Sequence, residues 1–153
     1  MIILFFGQPA SGKTTLADAL VKKLSSKLLY HSFVRIDGDK WREVTNNKNY
    51  SKEGRMANLK GAFDMAIYLD NDGYTPVLSF VSPYKELRDY LKSKNKVIEI
   101  FLECDADRGR NDFHVKDFEE HTDGLRINTN LYQIDDCLEK ITNYFYKCNN
   151  YTI

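Results

Sequence analysis

The chain has 153 residues, 42% hydrophobic and 13% aromatic, enough to core one domain of ordinary size but not two, so residues 1–153 read as a single domain. Lys plus Arg equals Asp plus Glu at 22 each, which removes any global electrostatic case for a dedicated nucleic-acid or membrane-surface binder; an anion site must be local. The opening apolar run 1–6 is too short to cross a membrane and lacks the basic start of a secretion signal, and Cys104, Cys137 and Cys148 show no CxxC spacing, so the protein reads as cytoplasmic with reduced thiols and no cysteine-rich zinc site.

Ile2 to Phe6 is a continuous apolar run stopped by Gly7-Gln8-Pro9, the pattern of a central strand buried on both faces of a parallel sheet. From Lys13 to about Leu24, Leu16, Leu20, Val21 and Leu24 recur at helical spacing. Ser32 to Ile36 is a second β-type run, ended by Asp37-Gly38-Asp39, after which a turn or helix begins. Ser51 and Glu53 precede a long helix whose apolar stripe is Met56, Leu59, Phe63, Ala66, Ile67 and Leu69, closed by Asn71-Asp72-Gly73. Pro76 to Val81 predicts a third strand, and Ser82-Pro83 a start for a helix from Tyr84 to about Lys92, since Pro suits a first helical turn. Val97 to Leu102 predicts a fourth strand, and Leu125 to Asn128 a weaker fifth. A C-terminal helix follows from Asp135 to Tyr146, with Leu138, Ile141, Thr142 and Phe145 on one side and a frayed end over Tyr144 to Tyr151.

Strands alternating with helices imply a three-layer α/β/α fold with a mostly parallel five-stranded sheet. Ligands of such sheets sit at the carboxyl ends of the strands, so the loops after Phe6, Ile36, Val81 and Leu102 should converge. The first of them, Gly7-Gln8-Pro9-Ala10-Ser11-Gly12-Lys13-Thr14, matches G-x-x-x-x-G-K-[ST] between a buried strand and a helix, the context in which this phosphate loop works. Its backbone amides and helix N-terminus surround a phosphate, Lys13 reaches the β/γ-phosphates of ATP, the Thr14 hydroxyl can ligate Mg²⁺, and Thr15 offers a further phosphate contact. No NKxD sequence marks a guanine site, and the third strand does not end in the Asp of a typical ATPase metal strand. Asp37 and Asp39 supply carboxylates instead: one to accept a hydroxyl proton, the other to order metal-bound water. Read alone, the same residues make a solvated turn and helix cap. Arg42, Arg55 and Arg88 follow or flank these loops and could clamp an anionic substrate, with surface solvation as the bland reading of each. Ser82 reads as a hydroxyl ligand or a plain helix cap, His31, His114 and His121 lack metal-ligand spacing, and Lys92 to Lys96 reads as a solvated basic turn.

In ordered segments the sequence resembles the adenylylsulfate kinases. Gly7 to Thr15 with Leu16-Ala17 is similar to that family's phosphate loop, Ile36 to Arg42 to its L-D-G-D-x-x-R, Tyr50 to Lys60 to its F-S-x-E-D-R-x-x-N-I-R, and Phe80 to Tyr84 to its I-S-P-Y. The resemblance covers roughly the first hundred residues. It implies a P-loop nucleoside triphosphate hydrolase fold and transfer of the ATP γ-phosphoryl group to the 3′-hydroxyl of adenylyl sulfate, with ATP and Mg²⁺ as cofactors, in sulfate assimilation. It implies catalysis by Lys13, Asp37, Asp39 and Ser82, the last where the family's serine is described as a phosphoserine intermediate. It implies acceptor contacts from Arg42, Arg55 and Asn58 besides Asp37, Asp39 and Ser82, metal contacts from Thr14 and Asp39, and an ATP contact from Arg108. A homodimer follows from the analogy alone. The departures are Gly54, in place of an acidic residue before Arg55, and a much shorter segment from Arg108 to Glu119, in which the K-G-L-Y and F-T-G elements are missing while Phe118-Glu119 matches a later Y-E. Lys94, Arg108, Arg110 and Lys116 could form a basic lid there. Because acceptor specificity resides in such loops, two further readings stay open: a related kinase acting on another nucleoside, modified-base or polynucleotide hydroxyl, and a non-catalytic ATP-binding module.

Overall fold

A computed structural model describes residues 1–106, 109 and 114–150. In chain order the elements are β1 (Ile2–Phe6), α1 (Lys13–Ser25), β2 (Phe33–Asp37), α2 (Gly38–Val44), α3 (Lys52–Asn71), β3 (Thr75–Phe80), α4 (Lys85–Lys94), β4 (Val97–Glu103), β5 (Leu125–Asn128) and α5 (Ile134–Cys148). The five strands lie in the order β2-β3-β1-β4-β5, and every pairing is parallel. The run Ile2 to Phe6 is therefore the central strand, as its unbroken apolar character predicts.

Alternation along β1 divides the core in two. Ile2, Leu4 and Phe6 face one layer with Leu59, Ala62, Phe63 and Ala66 of α3 and Leu87 and Leu91 of α4. Ile3 and Phe5 face the other, with Leu16, Ala17, Leu20 and Leu24 of α1 and Cys137, Ile141 and Phe145 of α5. All five β1 side chains have 0% exposure, and full burial of such a side chain contributes about 1.5–3 kcal/mol. That strand is thus buried along its whole length, and the Gly-rich loop leaves from its end. Asp72 and Gly73, at φ 90°, close α3 as the Asn-Asp-Gly signal predicts.

Two local expectations are corrected. Tyr84 is the N-cap of α4, which leaves Pro83 outside the first turn. The reason is Ser82, whose φ of 43° diverts the chain before the helix can begin. From Tyr144 to Cys148 the chain is not frayed but helical, Phe145 is 1% exposed, and Tyr144 and Tyr146 pack on the core; Tyr151 lies outside the described residues. Leu138 packs on the core side of that helix as expected, and Cys137 beside it is buried there. All three cysteines are free thiols.

Candidate active site

The loops after β1, β2 and β3 meet at one end of the sheet. Gly7 N–H donates to the Val81 carbonyl at 3.3 Å, and a Cβ on Gly7, whose φ is 147°, would land on the Leu102 carbonyl oxygen; only glycine lets the chain pass between β3 and β4 here. Gly12, at φ 92°, is the N-cap of α1 and turns the loop amides towards the helix start, the arrangement that binds phosphate. Lys13 Nζ donates to the Gln8 carbonyl at 2.6 Å and to Ser11 Oγ at 3.3 Å, so the ammonium rests inside the loop that it serves. Thr15, in the first turn of α1, is exposed.

Asp37 closes β2 and caps α2. Its Oδ1 accepts from the amides of Asp39 at 3.1 Å and Lys40 at 3.4 Å, and its Oδ2 from Thr14 Oγ1 at 2.8 Å and Ser79 Oγ at 2.7 Å. Burial alone would raise its pKa, but the bonds from Ser79, Thr14 and the two amides outweigh it, and the carboxyl is held below its ordinary value. The family resemblance implies metal contacts from Thr14 and Asp39; in the structure Thr14 bonds Asp37 instead, because the strand-end residue faces the loop while Asp39 lies in the first turn of α2. A hydroxyl and a carboxylate oxygen so close are hard donors of the kind Mg²⁺ takes, so these residues fit that ion.

Two residues that sequence reading missed complete this wall. Arg35 reaches Asp18 Oδ1 at 2.7 Å, the Val77 carbonyl at 2.5 Å and Ser79 Oγ at 2.9 Å, and stands 3.8 Å from Asp37 Oδ2. Ser79 accepts from Arg35 and donates to Asp37. The available signal was a polar residue inside each otherwise apolar strand, Arg35 in β2 and Ser79 in β3.

On the α3 side, Arg42 donates from Nη1 to the carbonyls of Asn47 and Asn49 and to Asn47 Oδ1, at 3.0–3.1 Å, and its guanidinium lies 4.3 Å from the Tyr50 ring centre. Its pKa is lowered, first by burial, and the positive charge of Arg55 lowers it further, against the raising influence of Tyr50 and Asp39. Asn58 is 6% exposed with an unpartnered Oδ1. Gly54 has a packing reason: a Cβ there would land on Asn49, which leaves no room for an acidic side chain. Ser82 is 1% exposed, its Oγ has no partner, and a left-handed non-glycine backbone costs on the order of 1–3 kcal/mol. It is not the cap of α4; the Lys85 amide is capped by Glu119 Oε2 instead.

Arg88 is no substrate clamp. It is 1% exposed, donates to the carbonyls of Ser82 (2.6 Å), Glu119 (2.6 Å) and His121 (2.9 Å), lies 4.5 Å from the Phe6 ring centre and faces Glu99 at 3.8 Å. Nor is Lys92 to Lys96 a plain solvated turn: Lys92 pairs with Asp89, Glu99 and Asp123, and Lys96 donates to the Cys148 carbonyl and Asn149 Oδ1. Lys94 sits over Tyr90. His31 stacks on Phe33, and among the described residues no His, Cys, Asp and Glu side chains form a metal cluster. Arg108 and Arg110 lie outside the described residues.

A family model described as adenylylsulphate kinase matches residues 1–125. The chain belongs to this family. Among relatives, a cytidine diphosphoramidate kinase of Campylobacter jejuni is 34% identical over 105 residues, covering 68% of this chain and 61% of that protein. An adenylyl-sulfate kinase of Oceanobacillus iheyensis is 34% identical over 110 residues, covering 69% and 54%. The matched part thus spans little more than half the length of these two relatives. The solved structure of the Mycobacterium tuberculosis APS kinase CysC with AMPPNP and APS superposes at a TM-score of 0.81 and 19% identity, covering 94% of this chain and 96% of that one. A sugar kinase of Janibacter superposes at 0.71 and 15% identity. At such identities these two likenesses establish the P-loop kinase fold of the family, and the scaffold is shared by kinases of unlike acceptors. No helix among the described residues is long and apolar enough to cross a membrane.

Proposed function

We propose that the chain transfers the γ-phosphoryl group of ATP to the 3′-hydroxyl of adenylyl sulfate, giving 3′-phosphoadenylyl sulfate and ADP. The observation that carries this reading is the wall formed by Lys13, Thr14, Asp37 and Ser79, with Arg42 of α2 close enough to Asp39 and to Arg55 of α3 for their charges to act on it. Gly7 to Thr15 bind the ATP phosphates, and Lys13 leaves its resting place on the Gln8 carbonyl to neutralise charge on the transferred group. Thr14 and Asp37 would hold Mg²⁺, which when bound spreads the phosphate charge. That leaves Asp39 to orient the acceptor hydroxyl and take its proton. Arg42 and Arg55 bind the acceptor's anionic end, with Asn58 and Ser82 as polar contacts at its side. Ser82 need not become phosphorylated, because direct in-line transfer requires no covalent step.

A second reading, that the acceptor is a cytidine diphosphoramidate, is favoured by the Campylobacter jejuni relative, which matches as well as the adenylyl-sulfate kinases do. Both acceptors pair a nucleoside with a charged phosphate derivative, so the two guanidiniums serve either. ADP release from Mg·ATP with adenylyl sulfate, with cytidine diphosphoramidate or with neither, and mass identification of the product, separates the readings. Adenylyl-sulfate-dependent turnover reduced roughly 10²–10³-fold in Lys13→Ala is the expected result. Turnover of the cytidine compound alone would replace the first reading by the second, and ATP binding without transfer to either acceptor would leave a nucleotide-binding module.

A further inference from the structure

The phosphate loop is docked sideways onto a strap formed by residues 115–121. Gln8 Nε2 donates to the Val115 carbonyl at 2.9 Å while Gln8 Oε1 accepts from the Val115 amide at 3.0 Å, a two-way pairing of a side-chain amide with a main-chain peptide. The strap end of this pairing is immobilised. Val115 is 4% exposed, Phe118 stacks against Phe6 and Phe101, and Glu119 N–H donates to the Pro83 carbonyl at 2.9 Å. Glu119 Oε2 takes the Lys85 amide, and Arg88 holds the carbonyls of Glu119 and His121. The loop end is the residue whose carbonyl receives Lys13 Nζ at 2.6 Å. Gln8 therefore stands between the ammonium that serves the phosphates and a strap braced by the core.

We propose that Gln8 is a positioning residue for nucleotide binding, its side chain locking the outer half of the phosphate loop to Val115 so that the loop amides are preorganised for the phosphates. The proposal rests on the reading that this loop binds ATP. Its physical basis is entropic: a loop already held in its binding geometry does not spend binding energy on being ordered. Loss of the two bonds should therefore weaken nucleotide rather than only loosen the fold.

The test uses the full chain and MgADP as the probe, by calorimetry. Gln8→Ala should bind MgADP about tenfold more weakly than wild type, the loss expected for two modest hydrogen bonds. Gln8→Glu keeps the acceptor but sets a carboxylate oxygen against the Val115 carbonyl, so it should be as weak at pH 8. As pH falls through the ordinary glutamate value of about 4.3, the substituted carboxyl takes up a proton, regains a donor for that carbonyl, and its affinity relative to wild type at the same pH should recover. Among the described residues, Lys13, which bonds the Gln8 carbonyl, and His114 and Lys116, on either side of Val115, are the nearby titratable groups, and all three are present in both proteins. A merely structural bond would lower the unfolding midpoint and leave neither the affinity of the folded protein nor that pH-dependent ratio changed. Unaltered MgADP affinity in Gln8→Ala overturns the proposal; if that variant does not fold, a Gln8→Glu to wild-type ratio independent of pH does so. Lys13→Ala keeps the two failures apart: if it binds MgADP as wild type does, the nucleotide reading falls and takes the proposal with it, whereas weak binding by Lys13→Ala beside normal binding by Gln8→Ala overturns the proposal alone.

Discussion

Around Asp37, hydroxyls from α1 and β3 and amides from α2 converge on a carboxylate whose side chain keeps 11% of its surface in solvent. Around Arg88, carbonyls from the β3–α4 turn and from the strap converge on a guanidinium that keeps 1%. Both clusters lie at the carboxyl end of the sheet, and both satisfy a charge with neighbours drawn from distant parts of the chain. The first leaves an ionised group able to meet a ligand, whereas the second spends its donors on main chain and holds the walls together. Charge type thus says little about role; what separates a site from a brace is whether the remaining lone pairs and protons face solvent or carbonyl groups.

The sharpest way to break this contrast is to delete the brace. Arg88→Met keeps an unbranched apolar stem but leaves Glu99, 4% exposed, without its guanidinium neighbour and the strap carbonyls without donors. Breaking a buried pair in this way costs about 3–5 kcal/mol, read as a lower urea midpoint with unchanged m-value. Stability equal to wild type would show that Arg88 is not a brace. A middle-sized effect is expected at Gly54→Asp, which restores the residue type of the resembling family on a site where even a Cβ collides with Asn49. Overpacking of this kind costs about 1–3 kcal/mol, and because Asn49 also holds Arg42 through its carbonyl, the Michaelis constant for the acceptor should rise with it.

The smallest effect sharpens the Asp37 side. Its pKa in the folded protein is lowered, so the stability it contributes is fully present above its ordinary value of 3.8 and is lost as pH falls through the lower folded value. Ser79→Ala removes the bond that lowers it most and lets the value move back up. The acid limb of kcat/KM should therefore shift to higher pH, and the part of acid stability linked to Asp37 should shrink, while stability at pH 7 falls by about 0.5–1.5 kcal/mol for one lost hydrogen bond. An acid limb that stays in place would remove Asp37 from the reaction.

Legibility followed the range of the interactions involved. The phosphate loop, the Asp37-Gly38-Asp39 turn and the five strands are encoded in contiguous residues, whose periodicity, glycines and capping groups act within a few positions of one another. The three arginines read from the sequence as one group, yet Arg42 bonds the loop after α2 while Arg88 is buried with a hydrogen bond to the Ser82 carbonyl. Nothing local distinguishes them, since an arginine four residues into an amphipathic helix looks the same whether its partners are water or the carbonyls of Glu119 and His121. Ser79 and Arg35 were hidden for a related reason: their partners are a strand away in space and dozens of positions away in the chain.

The sequence by itself determined the α/β/α order, the central place of Ile2–Phe6 and the loop that meets phosphate, because these follow from hydrophobic alternation and backbone freedom at single glycines. Only the tertiary structure decided that Thr14 joins Asp37, that Ser82 stands strained and buried, and that Gln8 is docked on Val115. Those choices depend on which polar groups the packed sheet brings within about 3 Å of one another, a distance that hydrogen bonding requires and that no spacing along the chain encodes.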